Sequence, residues 1–305
     1  MRNWLKWAGA TGAAGAVLAA VGYTLILPTI WTPLPIRSFN GIVGNVDSGN
    51  YLVRAAGCVA CHTDIKNKGA LFAGGPALDT PFGTFFGPNI TPDAETGIGK
   101  WRVEDFSAAL TAGLSPSREH YFPAFPYTNY TQMTSQDIAD IKAYLDTVPP
   151  ASKPSRDNTL IWPFSDRKLM AGWKWLFFKQ GEYQRDTVQT AEWNRGAYLV
   201  KGPTHCGACH TERNAFGARI SKRLTGTSSG PNGHPVPGIN AGENHIKGWT
   251  IEDITFALQT GLKPDGDVMG GAMGEVVEEG TSHMSDEDLK AVAVYLQSLD
   301  KDSAQ

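Results

Sequence analysis

Cysteine is scarce in this 305-residue sequence, with four in all, and no long block of like charge is present. The net charge is −3, from 27 basic and 30 acidic side chains, so the basic footprint of a nucleic-acid binder is missing. Hydrophobic residues make up 41% and charged residues 19%, which excludes a disordered chain. Methionine is also sparse, at six residues, so each can be weighed separately. Glycine (34) and proline (19) are plentiful, which predicts long connections between helices.

All four cysteines fall in two copies of one pattern, Cys58-x-x-Cys61-His62 and Cys206-x-x-Cys209-His210. This is the attachment signature of c-type haem. Two thiols one helical turn apart can add to the two haem vinyl groups, and the following histidine then lies under the iron. No cysteine is left over for a disulfide. A thioredoxin-like pair would need a βαβ context that is not visible. A zinc site would join halves 148 residues apart and leave both adjacent histidines unexplained. The motifs therefore imply two covalently bound haem c groups.

The motifs belong to a repeat. Tyr51-Leu52-Val53 matches Tyr198-Leu199-Val200, and Thr63 matches Thr211. Trp101-x-x-Glu104-Asp105 and Leu110-x-x-Gly113 recur at offset 148 as Trp249-x-x-Glu252-Asp253 and Leu258-x-x-Gly261. Ala143-Tyr144-Leu145 matches Val294-Tyr295-Leu296 at offset 151, so about three residues are inserted late in the second copy. In each copy one helix runs into the haem motif and a second starts near Trp101 or Trp249. A third follows Thr134-x-x-Asp137 or Ser285-x-x-Asp288, both resembling capping boxes. The expected fold is all-α: two tandem class I cytochrome c-like domains over 38–150 and 194–305, joined by a long linker, 151–193. The remaining stretch, 1–37, reads as an anchor and extended segment. Arg2 and Lys6 precede an uncharged run in which Ala8 to Leu27 spans 20 residues, enough for one N-terminal transmembrane helix. The flanking charge places the N-terminus inside. The expected location is the bacterial inner membrane, with the haem domains facing the periplasm.

A methionine thioether as sixth ligand raises a haem's potential and closes its iron. Applying offset 148 to Met273 lands on Phe125, which cannot ligate, and the only methionine of the first copy is Met133. The expected axial sets are His62 with Met133 and His210 with Met273. Met284 and Met269 are alternatives at the second iron, and His120 at the first. Glu275, Glu278, Glu279, Asp286, Glu287 and Asp288 form an acidic stretch near the second haem, readable as a solvated face or a docking patch.

The sequence resembles the cytochrome c subunit of membrane-bound alcohol, gluconate and fructose dehydrogenases. The resemblance is carried by Phe72-Ala73-Gly74-Gly75, Thr80-Pro81-Phe82-Gly83-Thr84, Asn89-Ile90-Thr91-Pro92-Asp93 and Glu95-Thr96-Gly97-Ile98-Gly99. It continues through Tyr121-Phe122-Pro123-Ala124-Phe125-Pro126-Tyr127, Glu192-Trp193-Asn194-Arg195-Gly196 and Gly274-Glu275-Val276-Val277. It implies an electron-transfer subunit, not an enzyme, whose partners are a periplasmic dehydrogenase and a downstream cytochrome, oxidase or quinone pathway at the membrane. Members of that family usually carry three haems, where this sequence has two motifs, and often methionine where Phe125 stands. The alternative function is a haem enzyme of the dihaem peroxidase or thiosulfate dehydrogenase type, using an open or labile first haem.

Overall fold

The computed structural model describes residues 34–220, 224–230, 233–242 and 246–299. Among them are ten α-helices and a small sheet. Asn45 accepts a hydrogen bond from the Ser48 amide and so starts α1 (Val46–Ala55). Cys58–His62 forms the short α2, and Ala77–Thr80 and Gly83–Phe86 form β1 and β2. The chain continues through α3 (Val103–Ala112), α4 (Tyr127–Tyr130) and α5 (Ser135–Leu145), the last capped by the Thr134 hydroxyl on the Asp137 amide. β3 (Thr159–Leu160) and α6 (Leu169–Phe177) follow. The second copy supplies α7 (Ala191–Lys201), α8 (Ile251–Thr260), α9 (Gly271–Glu279) and α10 (Asp286–Ser298).

The sequence repeat is also a structural repeat. In the first copy α1 crosses α5 so closely that a Cβ on Gly49 would lie 2.0 Å from the Asp140 carbonyl oxygen. In the second, α7 crosses α10 the same way, and a Cβ on Gly196 would lie 1.9 Å from the Ala291 oxygen. Helices α3 and α8 end on left-handed glycines, Gly113 and Gly261. The Tyr121 amide then bonds the Gly113 carbonyl at 2.7 Å, and the Met269 amide bonds Gly261 at 2.8 Å, so offset 148 holds to this point. The inserted residues fall next, where the four-residue α4 is replaced by the nine-residue α9.

Two expectations need correction. The fold is not all-α: β1, β2 and β3 form an antiparallel sheet in that order, with Ala77 opposite Phe86 and Gly83 opposite Leu160. Its strands are two to four residues long, too short for an alternating pattern to stand out in sequence. The transmembrane helix is the second. Among the described residues no helix is long and apolar enough to cross a membrane. The segment expected to do so, Ala8 to Leu27, lies outside them.

The stretch between the copies is packed structure. Strand β3 completes the sheet of the first copy. Met170 and Trp173 of α6 share an apolar cluster with Phe122 and Tyr127 of the first copy and Ala218 of the second. The Trp173 indole donates to the Phe216 carbonyl at 2.8 Å.

The two copies meet through equivalent groups. The Tyr51 hydroxyl donates to Asp288 at 2.6 Å, and the Tyr198 hydroxyl donates to Asp137. Each tyrosine also accepts from the N-cap amide of the opposite copy's last helix, Ser285 at 3.4 Å and Thr134 at 3.2 Å. Such reciprocity is the mark of a two-fold, isologous contact. Arg195 breaks the symmetry with a bidentate pair on Asp288, at 2.7 and 2.6 Å.

Candidate functional site

Both Cys-x-x-Cys-His motifs are held by the same backbone device. Gly57 (φ +65) turns the chain into α2, and His205 (φ +40) turns it into the short helical turn Cys206–Ala208. Beyond the motifs, the Gly74 amide bonds the His62 carbonyl at 2.9 Å and the Gly226 amide bonds His210 at 3.0 Å. The His62 Nδ1–H donates to the Pro88 carbonyl at 2.7 Å, and the His210 Nδ1–H to Pro237, also at 2.7 Å. A carbonyl can only accept, so each ring carries its proton on Nδ1 and keeps the Nε2 lone pair for a metal. Burial lowers both histidines' pKa against the raising effect of these bonds, which keeps the rings neutral.

The thiols fit thioether attachment better than thiolate coordination. All four are free. Burial pushes Cys58 up to about 12 and raises Cys206 and Cys209 as well, while Cys61 is exposed. A structural zinc site would need thiolates held within one ligand set. No group of three or more potential metal ligands occurs among the described residues. Two neutral thiols and a tautomer-fixed imidazole, twice over, are the donor set that haem c takes.

The motifs adjoin each other. His205, one residue before Cys206, lies against Gly57, one residue before Cys58: a Cβ on Gly57 would be 3.3 Å from its Nε2. Its ring meets Tyr130 edge-on at 5.5 Å, and burial brings its pKa down to about 4, so it is neutral. The Tyr130 hydroxyl donates to the Ala56 carbonyl at 2.5 Å. In sequence His205 abuts the second motif and reads as a surface or hydrogen-bonded histidine rather than a ligand. The available signal was its position, the repeat equivalent of Gly57.

The candidate sixth ligands are placed very differently. Met133 is 0% exposed inside the first core, and Met284 is 5% exposed inside the second. Met273, on α9, and Met269, just before it, are half-buried. His120 faces the Lys174 ammonium, Nδ1 to Nζ 3.0 Å, and burial together with that neighbouring charge lowers its pKa to about 4. Lys174 is itself buried and donates to the Ala112 and Gly113 carbonyls at 2.8 and 2.7 Å, closing the C-terminus of α3. In sequence Lys174 is one of four basic residues, with Arg167, Lys168 and Lys179, around the aromatics of segment 169–178. Phe125 is half-buried among Tyr121, Tyr127 and Tyr130, with ring centroids at 5.8, 6.5 and 5.8 Å. In the acidic stretch, Asp288 is turned inward onto Arg195 and Tyr51, so it is not part of a docking face, while Glu275 pairs with Lys66 of the first copy at 3.4 Å.

The cytochrome c family profile matches residues 46–149. A dihaem cytochrome c-type protein of Cereibacter sphaeroides is 40% identical over 275 residues, 88% of this chain and 91% of that protein. The fructose dehydrogenase cytochrome subunit of Gluconobacter japonicus is 37% identical over 84% of this chain. The gluconate 2-dehydrogenase cytochrome c subunit of Pantoea cypripedii is 36% identical over 85%. The chain spans 52% and 61% of the length of those two relatives.

Proposed function

The chain belongs to the dihaem c-type cytochromes and carries two covalently bound haem c groups in an electron-transfer role; from that premise we propose that it relays electrons from a dehydrogenase to the respiratory chain outside the cytoplasm. Relatives named for fructose, gluconate and alcohol dehydrogenases support a sugar- or alcohol-oxidising donor. A downstream cytochrome, oxidase or quinone pathway would be the acceptor.

Cys58 and Cys61 hold one haem and Cys206 and Cys209 the other. His62 and His210 would each bind one iron through Nε2, and Met273 would supply a thioether to the second. The observation that carries this assignment is the pair of equivalent histidines whose Nδ1–H is fixed on Pro88 and Pro237. Haem iron supplies the one-electron ferric–ferrous couple. The protein's residues orient the imidazoles and hold the two motifs against each other.

The full-length chain, made alongside a c-type haem maturation system, should show an intact mass raised by two haems. Cys58→Ala and Cys206→Ala should each weaken attachment at one site only, seen by haem staining of denaturing gels. A mass equal to the bare polypeptide would overturn the assignment. If the donor is a sugar or alcohol dehydrogenase, the loaded protein should be reduced in stopped flow by such an enzyme and its substrate, and not by substrate alone.

A further inference from the structure

We propose that Phe125 covers the distal side of the first haem without ligating its iron, so that the ferrous first haem takes up a neutral diatomic ligand, carbon monoxide being the probe, while the second haem, closed by Met273, does not. This rests on the haem attachment proposed above.

Backbone fixes the register up to Tyr121 and Met269, whose hydrogen bonds to Gly113 and Gly261 match, and the offset of 148 carried four residues further pairs Phe125 with Met273. One copy therefore offers a thioether where the other offers a phenyl ring, which has no lone pair to give a metal. Phe125 also sits beside the first motif: its neighbour Tyr130 bonds Ala56, two residues before Cys58.

Met133 is the remaining sulfur of the first copy, and its place is explained without iron. It immediately precedes the N-cap Thr134, as Met284 precedes the N-cap Ser285. The Met133 amide bonds the Tyr130 carbonyl at 2.9 Å, and the Met284 amide bonds Thr281 at 3.0 Å, so the two methionines are equivalents at offset 151. Met133 shares its apolar cluster with Ile138, and Met284 shares its cluster with Leu289, each four residues past the N-cap. That is a hydrophobic staple, which fixes how the chain enters a helix. Met284 does this in a copy that has Met273 as a separate ligand, so Met133 needs no second role. Protein covers it completely, and Arg37 grips its carbonyl and that of Thr131 at 2.5 and 2.6 Å.

His120 is also accounted for. It pairs with Leu114 across an isolated bridge whose counterpart is Leu262 with Val268. Valine at the equivalent position shows that the bridge is backbone structure, and the His120 ring is engaged by Lys174. The groups around Phe125 are aromatic, and burying an anion among them would be costly, which favours a neutral ligand. Uptake forms one iron–carbon bond and moves no electron or proton.

Dithionite-reduced, dihaem protein would be titrated with carbon monoxide and followed by difference spectra, with haem content measured in parallel. One of the two haems should bind it. Phe125→Met should abolish that binding and add a second methionine–iron charge-transfer band in the oxidised near-infrared spectrum. Met133→Leu keeps an apolar staple and should leave both spectra as in the parent. A parent that binds no carbon monoxide, or a Met133→Leu variant that loses a charge-transfer band, would overturn the proposal. A chain whose mass shows no covalent haem would instead overturn the attachment on which it rests.

Discussion

At the scale of single residues, the sharpest physical anomaly is Lys174. Burial lowers its pKa from 10.5 to about 7, yet its ammonium serves the two terminal carbonyls of α3. Removing it leaves those acceptors unpaired, at a cost of about 1–3 kcal/mol. Lys174→Met should therefore lower the urea midpoint at pH 7. The pH dependence has a definite sign. Between about pH 7 and 10.5 the unfolded chain holds a proton at this site that the folded chain gives up, so folding stability rises with pH in that window. Urea titrations by circular dichroism at a series of pH values should show this rise in the parent and a shallower one in Lys174→Met. Equal slopes would mean that Lys174 keeps its ordinary pKa.

At the scale of elements, the two copies depend on one crossing each. Helices α1 and α5 touch through Gly49, and α7 and α10 through Gly196, with carbonyl oxygens where a side chain would begin. Backbone cannot yield as the end of a flexible side chain can. Gly49→Ala and Gly196→Ala should each destabilise by about 1–3 kcal/mol or more, as overpacking does. Chemical denaturation of each variant, with haem retention followed optically, would check this. A neutral outcome at either glycine would show that the helices can separate without loss. The helix starts, by contrast, are set by local hydrogen bonds that the Asn45, Thr134, Thr190 and Ser285 side chains accept from backbone amides.

At the scale of the whole molecule, the two copies are locked by exchanged tyrosine–aspartate pairs, and the two aspartates differ. Burial raises the pKa of Asp137, though Tyr198 and Arg195 act against it. Burial also raises Asp288, but hydrogen bonds from Arg195 and Tyr51 outweigh it and hold the carboxyl below its ordinary value. The Asp288 contribution is thus present at neutral pH and lost as the pH falls through that lowered value. Arg195 is 41% exposed on its side chain, so water screens the pair. Asp288→Asn should cost about 1–2 kcal/mol at pH 7 and flatten the acid limb of the stability curve. It should also loosen the contact between copies, so that heat unfolding spreads into two steps. A single step at the parent's temperature would show that the apolar contacts alone hold the copies together.

What could be read from the sequence was whatever is local or periodic. The two haem pentapeptides, the offsets of 148 and 151, the N-caps and the apolar faces of the helices are all written within a few residues, because helix and cap geometry is short-range. The three-stranded sheet was not legible, since its strands are short and β3 arrives from a segment that read as linker. Nor was the meeting of His205 with Gly57, or the burial of Lys174 against α3, because each joins residues far apart in the chain. The roles of the methionines divide along the same line. Composition made Met133 the one methionine of the first copy, while tertiary packing covers it completely beside the start of α5 and leaves Phe125 at the repeat position of Met273. Residue type fixes which chemistry is available, but burial and the register of a folded repeat decide which side chain can reach the metal.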